Sequence, residues 1–234
     1  MKKIFFLSLC VLWGNLFAEE AAKQDTFETL QEKSIMPRGE GAVWTYASYW
    51  FDEGEKILSG TVTEEIVQVL KLEDETCYKI KKVYDYRSMT ERLGGVKLTE
   101  DDMEYFWEYD NAKGSFNFAE WGGGSILTPK SLDQFSLTLP YPVEKGHTYK
   151  AEGGDWTILN VAEEVKVSAG TFTCVVYEVV YNEGDEESWA RDRFYMAPGV
   201  GLVCLEFDFR EEGKWVRDTR DELMKFILPK AENK

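Results

Sequence analysis

The chain has 234 residues, of which 43 are acidic and 27 are Lys or Arg, and its formal net charge is -16. A surface this acidic repels phosphate backbones and anionic lipid, so we expect neither nucleic-acid binding nor peripheral membrane binding. The length suits one large β domain or two small ones.

Residues 1–18 have the layout of a secretory signal peptide. Lys2 and Lys3 precede a short apolar run, and the segment closes at the small residue Ala18. The run is too short to span a bilayer, and no later stretch is apolar for long enough. Removing the two lysines changes the charge from -16 to -18. We therefore expect a periplasmic or secreted protein without a membrane span.

A lipid anchor on Cys10 is the alternative to plain cleavage. Leu7 stands three residues before Cys10, but Leu9 occupies a position where such signals usually carry a small residue. Cleavage near Ala18 is the favoured interpretation.

Strand signals follow a polar lead at residues 19–34, in which Asp25 and Glu28 allow one short helix. The predicted strands are rich in β-branched and aromatic residues. They are AVWTYASYWF from Ala42, TVTEEIVQVLKL from Thr61, TCYKIKKVYDY from Thr76, MEYFWEYD from Met103, TFTCVVYEVVY from Thr171, RDRFYMA from Arg191, GLVCLEFDF from Gly201 and ELMKFIL from Glu222. No long segment has a helical apolar period, so the sequence predicts an all-β, antiparallel fold.

Two segments of the chain resemble each other. Residues 62–86 align with residues 161–183 when two residues are allowed for in the turn before the cysteine. This similarity predicts one β domain at 35–230, built from halves at about 35–120 and 138–228.

Alternation along the aligned strands divides their side chains between two faces. We assign the more apolar set to the core: Tyr78, Ile80, Lys82, Tyr84, Val175, Tyr177, Val179 and Tyr181. Cys77 and Cys174 fall on the other face. With Cys204 they allow either one disulfide and a free thiol or three buried thiols. In a simple meander, Cys174 and Cys204 would be about 9–10 Å apart, too far for a disulfide.

The stretch Pro198-Gly199-Val200-Gly201 is interpreted as a turn rather than a phosphate loop. It lacks the spacing of a dinucleotide loop and the Walker lysine, and an apolar strand follows it. Pro198 presets φ at the first central turn position, and Gly199 allows a positive φ at the second, as a type II turn requires.

The stretch VSAGTFTC, with Gly170 and Phe172, and the stretch YMAPGVGLV, with Pro198, Gly199 and Gly201, resemble paired signatures of the TapB-like family of uncharacterised secreted bacterial β proteins. The resemblance implies a curved, half-barrel sheet similar to the clam-shaped folds of periplasmic lipoprotein carriers. It implies no catalytic residues, because that family has no established activity.

The sequence carries no recognisable catalytic or metal-binding constellation. His147 is the single histidine and lies outside any nucleophile motif. A zinc site needs three or four convergent ligands. We therefore predict no enzyme activity, no metal and no cofactor.

The alternative is a carbohydrate-active hydrolase. Glu104, Glu108 and Glu120 lie among aromatic residues, as in a sugar-binding cleft. Alternating aromatic and charged residues on a two-faced strand explain the same pattern. Trp107 and Trp121 are our candidate ligand-binding residues.

The leading hypothesis is an exported, non-catalytic binding or envelope-associated protein. Its partner would be an apolar ligand or an envelope protein held on the concave face of the sheet.

Overall fold

The segments predicted to be strands form strands in the computed structural model, which describes residues 35, 37–85, 103–122, 125–141, 143–151, 154–181 and 189–228. The predicted signal peptide and the short helix of the polar lead lie outside the described residues. The strands, in chain order, are β1 Val43–Asp52, β2 Glu55–Leu72, β3 Glu75–Asp85, β4 Met103–Asn111, β5 Gly114–Phe118, β6 Trp121–Gly122, β7 Ser125–Ile126, β8 Ser136–Pro140, β9 Thr148–Ala151, β10 Gly154–Val167, β11 Gly170–Tyr181, β12 Ala190–Ala197, β13 Gly201–Glu211 and β14 Lys214–Ile227. A one-turn 3-10 helix spans Leu132–Gln134.

Twelve of these strands form one antiparallel sheet, in the order β8-β5-β4-β3-β2-β1-β14-β13-β12-β11-β10-β9. The order consists of two six-stranded meanders that run in the same sense and join where β1 pairs with β14. The sheet curls until its edge strands meet, where the Tyr149 hydroxyl of β9 donates to the Thr138 carbonyl of β8 at 3.3 Å. This nearly closed, curved β sheet confirms the predicted fold class.

The sequence repeat and its boundaries stay a prediction. Glu64 lies opposite Lys82 in the first meander, whereas the aligned Glu163 lies opposite Cys174 in the second. Aligned residues in β2 and β10 therefore have different cross-strand partners.

The inner face of the sheet carries the residues assigned to the core from their alternation. Ile80, Val175, Tyr177 and Val179 are each at most 3% exposed. The inner faces of the two meanders thus pack toward each other and enclose the interior.

All three described cysteines are buried free thiols, and Cys174 and Cys204 lie in the cluster that contains Trp44 and Tyr46. Cys77 lies in a cluster with Ile126 and Phe135, from the segment that connects β5 to β8 within the first meander and folds back over β3, β4 and β5. Burial raises the pKa of Cys77 to about 11 and the pKa values of Cys174 and Cys204 to about 12, so these thiols stay protonated. Strand β12 separates β11 from β13, as the simple meander requires.

Charged side chains on the outer face of the second meander pair across neighbouring strands. Glu206 and Asp208 are only 4% and 2% exposed, and Arg217 binds both carboxylates. Further pairs include Arg193–Glu178 at 2.7 Å, Arg191–Asp208 at 2.8 Å and Arg220–Glu206 at 2.6 Å. This ladder explains why β14 begins at Lys214, earlier than predicted. The first half of β14 is charged, and its side chains pair with carboxylates of β13. This half therefore forms a strand without the apolar alternation from which strands were predicted.

Residues 198–200 form the predicted tight turn. The Val200 N–H donates to the Ala197 carbonyl at 3.1 Å, and Gly199 has a φ of 71°. The Trp44 indole N–H donates to the Val200 carbonyl at 2.8 Å, which ties this turn to β1.

Gly199→Ala tests the conformation of the turn. A Cβ in the left-handed region costs roughly 1–2 kcal/mol, so we expect the free energy of unfolding in urea to fall by about that amount. Gly199→Asn is the control and should lose less, because asparagine visits this region more readily. A Gly199→Ala variant as stable as the wild type would contradict the assigned turn.

Candidate functional site

The inner face encloses a chamber of about 390 Å³ between the two meanders. This volume lies in the range of small-molecule binding sites. Its lining residues are Glu64, Ile80, Lys82, Phe106, Glu108, Ser115, Asn117, Thr138, Leu139, Trp156, Tyr181, Phe194, Met196, Leu202 and Leu205. The chamber is therefore the candidate site.

The second meander contributes an almost wholly apolar surface, which we call the apolar wall. It consists of Trp156, Phe194, Met196, Leu202 and Leu205, and Tyr181 is the remaining lining residue from this meander. The rings of Trp156 and Phe194 stack with centroids 5.3 Å apart. Phe194, Leu202 and Leu205 are only half-buried, so part of this wall is accessible from solvent.

The first meander contributes the opposite surface, which we call the polar wall. Its polar members are Glu64, Lys82, Glu108, Ser115, Asn117 and Thr138, with Ile80, Phe106 and Leu139 between them. The first meander thus lines the chamber with polar and charged side chains, whereas the second lines it mainly with apolar ones.

Lys82 is the cationic group of the polar wall, and its Nζ lies 3.5 Å from Glu64. Burial disfavours the ammonium, but Glu64, Tyr84 and Asp221 stabilise it, so the pKa of Lys82 lies above its usual value. The ammonium stays charged and interacts with the neighbouring carboxylates of Glu64 and Asp221. It is consequently a poor nucleophile or base.

Buried acids outnumber cations around Lys82. Burial raises the pKa of Asp192, although a hydrogen bond from the Tyr181 hydroxyl at 2.7 Å opposes the shift. Burial likewise raises the pKa of Asp221, against a hydrogen bond from Ser48. Asp192 on β12 and Asp221 on β14 thus bring carboxylates of the second meander close to Lys82, and the interior around Lys82 is acid-rich.

A second buried ion cluster centres on Arg38, in the segment before β1. Its guanidinium side chain is 3% exposed, donates to Asp110 at 2.7 Å and pairs with Glu108. Burial raises the pKa of Glu108, and Arg38 opposes the rise. Ile35 of the same segment lies in the apolar cluster that contains Trp156.

The predicted ligand residues lie away from the chamber or outside the described side chains. Trp107 is on the outer face, is fully buried and packs with Cys77 and Phe135. It fills the core beneath the connecting segment and does not line the chamber. Trp121 belongs to β6, and its side chain is outside the described part, so its predicted role stays a prediction.

The carboxylates and aromatic residues suggested for a sugar cleft lie on both faces of the sheet, and of these aromatic residues Phe106 lines the chamber with Glu108. Glu108 lies on the inner face, where it lines the chamber and pairs with Arg38. Glu104 shares that face by alternation, whereas Trp107 points outward. Glu120 follows β5 and is exposed. These residues do not form one aromatic cleft.

The residues behind the family resemblance are structural. Gly170 opens β11 with a φ of 145°, and Phe172 packs edge-to-face on Phe226 at 6.3 Å. Pro198, Gly199 and Gly201 shape the turn between β12 and β13. None of them is a lining residue of the chamber.

Among the described residues, no cluster of three or more His, Cys, Asp and Glu side chains is suited to a metal ion. The same residues include no helix with the length and apolar character to cross a membrane.

Sequence reasoning missed Arg38 and most of the apolar wall. Arg38 binds residues about seventy positions away, such as Asp110. Trp156 lies on β10, which the sequence analysis does not predict as a strand, although alternation with Ile158 was a usable signal.

Comparison with known proteins identifies the fold alone. No family model and no curated protein matches the chain. The chain is similar to the crystal structure of a candidate lipoprotein from Parabacteroides distasonis, at 16% identity and a TM-score of 0.53, over 83% of this chain and 98% of that one. It is also similar to a candidate exported protein with a YmcC-like fold from Bacteroides fragilis, at 12% identity and a TM-score of 0.48, over 82% and 98% of the two chains. Membership of the TapB-like family stays a prediction.

Arg38→Met tests the buried ion cluster. It leaves Glu108 and Asp110 without their cation in the interior, so we expect a loss of about 3–5 kcal/mol in the free energy of unfolding at neutral pH. Lys56→Met is the matched control: Lys56 also bonds a carboxylate, at 2.7 Å, but its side chain is 37% exposed. That variant should lose less than about 1 kcal/mol.

The loss in Arg38→Met should depend on pH. Glu108 has a raised native pKa, so its protonated form favours folding, and this contribution fades as the pH rises through the native value. Without Arg38 the pKa rises further, so the destabilisation should shrink as the pH falls toward about 4. Urea denaturation at several pH values measures this, and a loss independent of pH would contradict the assignment.

Proposed function

We propose that this protein is an exported, non-catalytic binding protein that holds a small, largely apolar molecule in the chamber between its meanders. The observation that carries the proposal is a chamber of about 390 Å³ with a partly accessible apolar wall. Apolar surface in a concave site of this size favours ligand binding, because its occupation removes that surface from water.

Export is supported by the signal-like segment at residues 1–18 and by the similar solved proteins, which are described as a candidate lipoprotein and a candidate exported protein. The TapB-like resemblance points the same way. We infer a periplasmic or secreted location with cleavage near Ala18.

The absence of catalysis is supported by how the charged groups of the chamber are used. Lys82 is paired with Glu64, and Glu108 is paired with Arg38. Neither carboxylate is free to act as an acid or base opposite a second one, as a glycosidase requires. The hydrolase alternative therefore has less support than ligand binding.

Leu205→Trp tests the proposal by filling the chamber from its apolar wall. The probe is N-phenylnaphthylamine, an uncharged dye whose fluorescence rises in apolar sites. We expect the wild type to bind the dye at one site per chain, and we expect Leu205→Trp to weaken binding by roughly tenfold or more because the added ring occupies the chamber.

Leu58→Trp is the matched control, since Leu58 is 52% exposed on the outer side of β2 and is not a lining residue. It should bind the dye as the wild type does. Absence of dye binding by the wild type, or equal losses in both variants, would overturn the proposal.

A further inference from the structure

We propose that the chamber selects an uncharged ring compound with one polar face and one apolar face, such as a sterol polyol, over a straight acyl chain. This inference rests on the proposed binding function. It follows from the arrangement of the polar and apolar walls, from the pairing of the charges and from one uncommitted amide.

The chamber has one polar wall and one apolar wall. The polar wall extends over five strands, from Glu64 on β2 through Glu108 on β4 to Thr138 on β8. The apolar wall faces it from β10, β12 and β13. An acyl chain in this chamber would cover the Asn117 amide without pairing it, which is costly. A molecule with hydroxyl groups along one face would match both walls.

The charges of the polar wall favour an uncharged ligand. An anionic ligand would compete with Glu64 for Lys82 and would approach the carboxylate of Glu108. A cationic ligand would meet the ammonium of Lys82, and the two carboxylates that line the chamber, Glu64 and Glu108, already pair with Lys82 and Arg38. Desolvating either ion without a free counter-charge is unfavourable.

Asn117 provides a group with which such a ligand can form hydrogen bonds. It lines the chamber from β5, and among the described residues its side-chain amide makes no hydrogen bond. Neighbouring hydroxyls are already engaged, since Thr138 donates to the Ser115 carbonyl at 3.0 Å and Arg38 donates to the Ser115 hydroxyl at 3.4 Å. An amide both donates and accepts, so it suits a ligand hydroxyl.

Competition against bound N-phenylnaphthylamine tests the inference. The competitors are methyl cholate, an uncharged steroid with its hydroxyls on one face, the anion cholate, and methyl palmitate, an uncharged straight chain. We expect methyl cholate to displace the dye at a concentration roughly tenfold lower than either of the others.

Substitution of Asn117 then locates the polar contact. Asn117→Leu should weaken methyl cholate binding by roughly tenfold more than it changes dye affinity, because a hydrogen bond to a steroid hydroxyl is lost that the dye, which has no hydroxyl, does not make. Urea denaturation shows whether the variant is folded. Asn117→Gln keeps the amide and is the matched control, which should retain most of the affinity for methyl cholate.

The outcomes separate this inference from the proposed function. Dye binding with methyl palmitate as the better competitor would overturn the face-selective ligand and leave the binding function standing. Equal competition by cholate would overturn the requirement for an uncharged ligand. The inference would be supported if methyl cholate is the best of the three competitors and if Asn117→Leu, but not Asn117→Gln, binds methyl cholate more weakly. No dye binding by the wild type would instead refute the proposed function.

Discussion

The meeting of the two sheet edges determines most of what the interior contains. Because β9 reaches β8 through the hydrogen bond from Tyr149 to Thr138, the inner faces of the two meanders confront each other across the chamber. Every inner side chain must then pack, pair or line the remaining space. An open sheet would have left Lys82 and Glu108 in water, where their pairing would contribute little.

Because the sheet is nearly closed, its outer face points away from the chamber and is buried by other contacts. The first meander is covered by the segment that carries Ile126 and Phe135, which buries Cys77 and Trp107. The second meander instead uses paired charges, and Glu206 and Asp208 are buried beneath the arginines that bind them. In both meanders, some side chains on the outer face are buried as deeply as those on the inner face. Burial alone therefore does not show whether a residue lines the chamber.

Alternation along the strands was predictable from the sequence, but the covering of each face was not. The pattern around Ile80 and Tyr177 correctly indicated which side chains share the inner face. The same alternation places Trp107 and Glu108 on opposite faces of the sheet. It cannot show, however, that a segment beyond residue 125 folds back over Trp107. The role of Arg38 depends likewise on partners about seventy residues away, and no local pattern encodes such a contact.

The difference between the two walls can be traced to single aligned positions. Tyr84 and Tyr181 are aligned in sequence and make equivalent hydrogen bonds, to Glu104 on β4 and Asp192 on β12. Opposite Glu104 stands Lys82, whereas Val179 stands opposite Asp192. With valine there, Asp192 lacks a cross-strand cation, and burial raises its pKa. At this position the first meander carries a cation and the second carries a valine, in keeping with a chamber whose positive charge lies on the first meander and whose apolar surface comes mainly from the second.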